Sequence, residues 1–262
     1  MPPRFFEVEN LRIAVENHRA RDAVHGEHLL DGWKEVIPGV SYGVAEGQTL
    51  SIIGESSSGK SLMVLGAFGL LPAGTRVLGG TTTYRGLRFE PGGSVDEPDR
   101  RLRRKDRRKL QRSGTVAADS TPEWARVVGT EIGFLFQNPI SAWTPILEIG
   151  PQAGETLAAH TDLSDDEIRE RVVDALGEVQ LPKSNRMLQA FSSQLSRGMG
   201  QRAMLAAALV KAPSLLIADE PLSGLDVSVS AAILELIKDL NERRGMAMII
   251  VTHDLAVVAR VA

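Results

Sequence analysis

The sequence predicts an α/β fold built on a parallel core sheet, and three short stretches predict it. TLSIIG (49–54), SLLIAD (214–219) and AMIIVTH (247–253) are apolar runs of strand length, the pattern of strands buried on both faces. The second and third bracket VSAAILELIKDLNERR, whose apolar spacing is helical, and the first leads through a glycine into KSLMVLGAFGLL, helical again. Strands alternating with helices are the order that gives parallel strands covered by helices.

The remaining elements follow along the chain. FFEVENLRIAV (5–15) spaces Val8, Leu11, Ile13 and Val15 in loose alternation and reads as a strand, and the polar stretch from Glu16 to Lys34 reads as a loop. After the helix that opens at Lys60, GGTTTYRGLRFEPGGS reads as turn-punctuated strand. RRLRRKDRRKLQR (100–112) then holds nine basic residues in thirteen and runs into a polar tail. Residues from about 80 to 130 are therefore assigned to a surface insertion. Helical patterning over about 138–210 is assigned to a lobe apart from the sheet, leaving 1–79 and 211–262 as the core of one domain that spans 1–262.

Composition narrows the classes of function. With 262 residues and 43% hydrophobic content the chain can bury one large core. A net charge of −3, from 30 basic and 33 acidic side chains, supplies no global basic field, so affinity for nucleic acid or anionic lipid would have to be local. The lack of cysteine excludes disulfides, thiolate zinc sites and iron–sulfur clusters, and suits a reducing compartment. No run of eighteen apolar residues occurs, and charges interrupt MPPRFFEVENLRIAVEN where a secretory core would be continuous. The chain reads as a cytoplasmic protein that reaches a membrane only by docking on one that spans it.

Chemistry concentrates in a few segments. GESSSGKS has the spacing G-x-x-x-x-G-K-S between a predicted strand and a predicted helix, the context a phosphate-binding loop requires. Its residues Gly54, Glu55, Ser56, Ser57, Ser58 and Gly59 let backbone N–H groups turn inward on phosphate oxygens, Lys60 reaches the outer phosphates, and the Ser61 hydroxyl can bind Mg²⁺. The plainer reading is a Gly/Ser-rich turn before a helix. LLIADEP (215–221) places Asp219 at a strand end, where it can hold the magnesium shell, and Glu220 next to it, where it can orient or deprotonate a water. His253, after the last strand, can donate to a phosphate oxygen or hold that water, and Gln137 in FLFQNP can reach the metal or the water. QLSRGMGQR (194–202) sets Ser196, Gly198 and Gly200 around Arg197 just before a helix-like run.

In this order GESSSGKS, FLFQNP, LSRGMGQR, LLIADEP, SGLD and VTHD resemble the Walker A loop, Q-loop, signature, Walker B, D-loop and switch histidine of the nucleotide-binding subunits of ABC transporters. The resemblance covers about residues 5–262. FQNPISAWTPILEIGPQ, LSRGMGQR and LDVSVSAAIL are most similar to the ATPases of dipeptide, oligopeptide and nickel importers. The resemblance implies a P-loop NTPase fold with a parallel core sheet, an N-terminal antiparallel β part and an inserted α-helical lobe. It implies ATP and Mg²⁺ as cofactors, with Ser61, Gln137 and Asp219 around the metal and Glu220, His253 and Gln137 catalytic. Ser196 and the amides near Gly198 would meet the γ-phosphate of ATP held by a second, identical or homologous ATP-binding subunit. Transmembrane permease subunits, and indirectly a solute-binding protein, are the implied partners, at the inner face of the cell membrane, with peptide or nickel as cargo.

Four places depart from the family's pattern. Arg197 stands where glycine is usual. Val15 stands where an aromatic residue stacks on adenine, with Tyr42 and Trp33 as substitutes. The basic run 100–112 lengthens the interval between Lys60 and Gln137. The chain ends nine residues after His253, so the usual C-terminal end is expected to be absent. Two other readings remain: an ABC-type ATPase that acts within an enzyme complex or on nucleic acid gripped by 100–112, and a catalytically weak regulatory subunit, suggested by Arg197, Val15 and the early stop.

Overall fold

The computed structural model describes residues 5–16, 29–30, 32–91 and 121–261, so the basic run 100–112 lies outside the described residues. In chain order the elements are β1 (Phe6–Glu16), β2 (Leu29–Leu30), β3 (Trp33–Val44), β4 (Thr49–Ile53), α1 (Lys60–Ala67), β5 (Thr75–Tyr84) and β6 (Leu87–Phe89). From residue 121 onward come α2 (Pro122–Glu131), β7 (Ile132–Leu135), α3 (Ile149–His160), α4 (Asp165–Glu178) and α5 (Asn185–Leu188). A 3-10 turn (Ser192–Gln194), α6 (Arg197–Leu209), β8 (Leu215–Asp219), α7 (Val227–Arg244), β9 (Ala247–Thr252) and α8 (Leu255–Val261) complete the order. The chain divides into two units, Met1–Ala45 with Ser56–Ala125 and Glu46–Glu55 with Arg126–Ala262.

The first unit holds a five-stranded sheet in the order β2-β3-β1-β5-β6, antiparallel throughout. β1 pairs with β3 from Phe6↔Val44 to Glu16↔Trp33 and with β5 from Phe6↔Tyr84 to Val15↔Thr75. The register slips near Leu11, where Gly80 sits at φ 120 and a Cβ on it would lie 2.6 Å from the Leu11 Cα, so the bulge needs glycine. β3 was not legible in the sequence, because Pro38, Gly39 and Gly43 break its alternation. Residues 81–89, which the sequence places in an insertion, complete β5 and form β6, paired into this sheet. α1 stops at Ala67, short of the apolar run, in a Schellman turn: Gly69 at φ 72 donates to Gly66 O and Leu70 donates to Leu65 O. The unit's core is a ladder of rings. Phe6 stacks on Phe68 at 5.2 Å, and Trp124 lies between Phe68 (6.1 Å) and Phe89 (4.5 Å).

The second unit holds a four-stranded, all-parallel sheet in the order β4-β9-β8-β7. Every residue of β8 and β9 is buried, the expected result of continuous apolar runs in a sheet covered on both faces. α3, α4, α6 and α7 supply the cover through one cluster that includes Leu157, Val172, Leu176, Leu205, Leu209 and Ile237. α4 starts on a capping box, Ser164 with Glu167, which also holds the Glu167 carboxyl below its ordinary pKa, chiefly through the Ser164 hydroxyl. Arg244 gathers three helix ends: it grips both oxygens of Glu178 at 2.7 and 2.8 Å and donates to Leu209 O at 3.2 Å.

Candidate functional site

Parallel strands end at a common edge, and in the second unit that edge collects Asp219, Glu220, Gln137 and His253 from the side chains singled out in the sequence. Across β4, β9, β8 and β7 the first residues past or at the carboxyl ends are Gly54, His253, Asp219 with Glu220, and, two beyond Leu135, Gln137. Ligands of open α/β sheets bind at this edge. Asp219, the last residue of β8, is buried. Glu220 follows at φ 44, a left-handed conformation that disfavours a non-glycine residue by roughly 1–2 kcal/mol. Its backbone N–H donates to Val251 O at 2.8 Å, which extends the β8–β9 ladder and fixes the residue in that conformation.

The Glu220 carboxylate is held from both sides. Gln137 Nε2 donates to Oε2 at 3.1 Å, and His253 Nδ1 lies 3.3 Å from Oε1. A carboxylate pinned by two neighbours at a strand end is suited to orient a water or take its proton. A cavity of about 410 Å³ opens beside Glu220 and His253, lined also by Ser223, Gly224, Ser230 and Arg260.

The phosphate-loop candidate is where the chain passes from one unit to the other: β4, Gly54 and Glu55 belong to the second, and Ser56 to Ser61 and α1 to the first. Ser57 (φ 67) and Gly59 (φ 90) both take left-handed conformations, the alternation that turns successive N–H groups inward. A Cβ on Gly59 would come 2.7 Å from Ile37 Cδ1, so the position needs glycine for space as well as for φ. α1 begins at Lys60 after Gly59, with no side chain capping it. Lys60 is buried.

Ser196 is the N-cap of α6, its hydroxyl accepting from Met199 N at 3.2 Å while its own proton stays available to donate. Gly198 does more than expose backbone: a Cβ there would lie 2.9 Å from Val229 Cγ1, and one on Gly200 would lie 2.9 Å from Ile140 Cδ1. Arg197 turns its side chain away from the helix start and donates from Nη1 to Gly224 O at 2.8 Å. Asp226 caps α7 by accepting from Val229 N and Ser228 Oγ, bonds that hold its carboxyl below the usual aspartate range. Sequence reasoning missed the roles of Arg197, Gly198 and Gly200, which have no local signal: their partners Gly224, Val229 and Ile140 stand 27 or more residues away.

Of the candidates for base stacking, Tyr42 is committed to the first unit's core, its hydroxyl donating to Met63 O at 3.3 Å and its ring 6.2 Å from Phe6. Trp33 is half-buried with the Arg76 guanidinium 4.4 Å above its ring, and Val15 is paired in the sheet between Lys34 and Thr75. Among the described residues no cluster of three His, Asp or Glu could bind a metal unaided. At the second unit's sheet edge the Asp219 carboxylate and the Gln137 amide oxygen are hard oxygen donors of the kind Mg²⁺ takes, and an ion brought in on phosphates needs few of them from protein.

A parallel sheet whose carboxyl edge ends in Gly54, an Asp–Glu pair and a histidine defines an α/β protein of the kind that binds its ligand at the strand ends. A family model described as ABC transporter matches residues 37–223, and the chain belongs to that family. It is 34% identical over 223 residues to the dipeptide transport ATP-binding protein DppD of Escherichia coli (strain K12), covering 85% of this chain and 60% of that protein. It is 33% identical over 232 residues to the oligopeptide transport ATP-binding protein AppD of Bacillus subtilis (strain 168), covering 87% and 63%. The glutathione import ATP-binding protein GsiA of Shigella flexneri is 34% identical over 255 residues, 97% of this chain and 36% of GsiA. The chain thus spans less than two thirds of the length of these relatives. The fold matches the dimeric post-hydrolysis structure of the ATP-binding cassette MJ0796 bound to ADP and Pi, with TM-score 0.69, 24% identity, and 97% and 90% of the two chains covered.

Proposed function

We propose that this chain binds and hydrolyses ATP as the nucleotide-binding subunit of an ABC importer, and that permease subunits couple its dimer closure to uptake of a peptide-class solute. The observation that carries the reading is Glu220, fixed at the sheet's carboxyl edge with one oxygen on Gln137 and the other beside His253. Family membership and the names of DppD, AppD and GsiA support the transport setting.

In this mechanism the amides from Gly54 to Ser61, with Lys60, neutralise the phosphates. Ser61, Asp219 and Gln137 would hold Mg²⁺, which when bound would offset phosphate charge. Glu220 orients the attacking water in line with the γ-phosphate and accepts its proton. His253 and Gln137 keep that carboxylate aimed, and the Gln137 amide oxygen would serve the metal. Ser196 and the amides near Gly198, from a facing subunit, donate to the γ-phosphate. The ATP-binding subunit sits at the inner face of the membrane on its permease partners. No helix among the described residues is long and apolar enough to cross a membrane itself.

Replacing Glu220 by Gln keeps the side chain's shape and removes the base. ATP binding is expected to stay within about threefold of wild type while turnover falls at least ~100-fold, the usual size of a general-base contribution. Nucleotide titration beside phosphate release checks this, and wild-type turnover in E220Q removes Glu220 from the role.

A further inference from the structure

In the signature segment the Arg197 side chain reaches to the turn that follows Glu220: from the start of α6, Nη1 donates to Gly224 O at 2.8 Å. The partner is shaped for the contact. Gly224 sits at φ 72, where any side chain would strain the backbone, and a Cβ added there would run into the same guanidinium. A guanidinium in the first turn of a helix opposes the helix dipole, so the dipole does not hold it there; the carbonyl does.

The turn that Gly224 belongs to opens at Glu220, whose carbonyl accepts from Ser223 N, and closes at Asp226, the cap of α7. The same first turn of α6 meets α7 through Gly198 against Val229 and the segment after Gln137 through Gly200 against Ile140. Close packing fixes two sides of the turn, and Arg197 supplies the polar link to the third.

We infer that Arg197 is a positioning residue, a latch that ties the turn following Glu220 to the start of α6. The inference rests on the ATPase reading above. With the latch made, the carboxylate and the seat formed by Ser196 and the Gly198 amide move as one piece. With it broken, the glycine-containing turn relaxes and Glu220 loses its aim. Displacements of that kind lower the chemical step far more than binding, because the in-line geometry tolerates little error.

The test measures steady-state ATP hydrolysis, nucleotide affinity and melting temperature for wild type, R197A, R197K, G224A and R197A/G224A. R197A is expected to lose about tenfold in kcat with KM within about twofold. R197K, which can still reach one carbonyl, recovers most of that loss. G224A costs more in the wild-type background than in R197A, where the opposing guanidinium is gone. Melting temperatures stay within about 2 °C for R197A and R197K. Wild-type kcat in R197A, a kcat loss that only tracks a fall in melting temperature, or equal G224A costs in both backgrounds overturns the latch alone. A wild-type chain that binds Mg-ATP without hydrolysing it, or binds none, sinks the ATPase reading and the latch with it.

Discussion

Lys211 shows how one buried charge sets a pH dependence. Its Nζ donates to Val128 O at 3.2 Å and Gly129 O at 2.9 Å, in the last turn of α2, where the helix dipole favours a cation. Burial nonetheless pushes its pKa down to about 8. Between about 8 and the ordinary lysine value the unfolded chain binds the proton that the folded chain has lost. Unfolding free energy therefore rises with pH in that window, by at most ~1.4 kcal/mol per pH unit. Below pH 8 both states carry the charge and the contribution is flat. Urea unfolding of wild type and K211M at pH 7.5 and 9.5 checks this: the wild-type gain between the two should shrink or vanish in K211M. Lys211 had no sequence signal, whereas Asp219, Glu220, Gln137 and His253 stood out as polar residues closing apolar strand runs. What the sequence withheld at this scale was partnership: that one carboxylate would sit between Gln137 and His253, and that Arg197 would reach Gly224, depends on how distant strands and turns meet.

Elements whose pattern is continuous were legible, and elements held by contacts across the chain were not. β8, β9 and α7 lie where the apolar runs put them, since a strand buried on both faces needs no alternation, and β4 lies there too although none of its residues is buried. β3 escaped because its proline and glycines are tolerated only by virtue of pairing with β1. α2 escaped although it carries a start signal: Thr121 accepts from Trp124 N and Pro122 takes the first helical position. The polar tail before it drew the reading to a loop. Trp124 anchors that helix start. It is wholly buried, stacks on Phe89 and Phe68, and directs Nε1 toward Phe68 O at 3.5 Å. Truncating it to alanine opens the ring ladder between α1, β6 and α2. The expected cost is roughly 3–5 kcal/mol, the range for a buried aromatic. A lowered urea midpoint with unchanged slope would show it, and a loss under 1 kcal/mol would mean the ladder closes over the gap.

At the scale of the whole molecule, six large apolar side chains are exposed among the described residues: Phe136, Ile146 and Leu147 in the segment after β7, and three more beside the other strands. Ile53 is 47% exposed at the end of β4, Val227 88% at the start of α7 and Leu255 68% at the start of α8. All three flank the carboxyl edge that presents Glu220 and His253. Apolar residues rimming a polar site mark a surface that is covered in use. If a second copy closes over bound ATP, the cover is nucleotide-dependent, and slowing hydrolysis should trap it. E220Q with Mg-ATP is therefore expected to run as a dimer in light scattering and as a monomer without nucleotide. Adding S196R to E220Q places a bulky cation at the cap of α6, where the facing γ-phosphate would seat. That double variant should stay monomeric with ATP while still binding it, because its own loop from Gly54 to Ser61 is untouched. A dimer that forms equally with and without nucleotide would assign these side chains to a permanent interface instead. A monomer in every case would leave ATP held by one chain alone and remove Ser196 and Gly198 from the site.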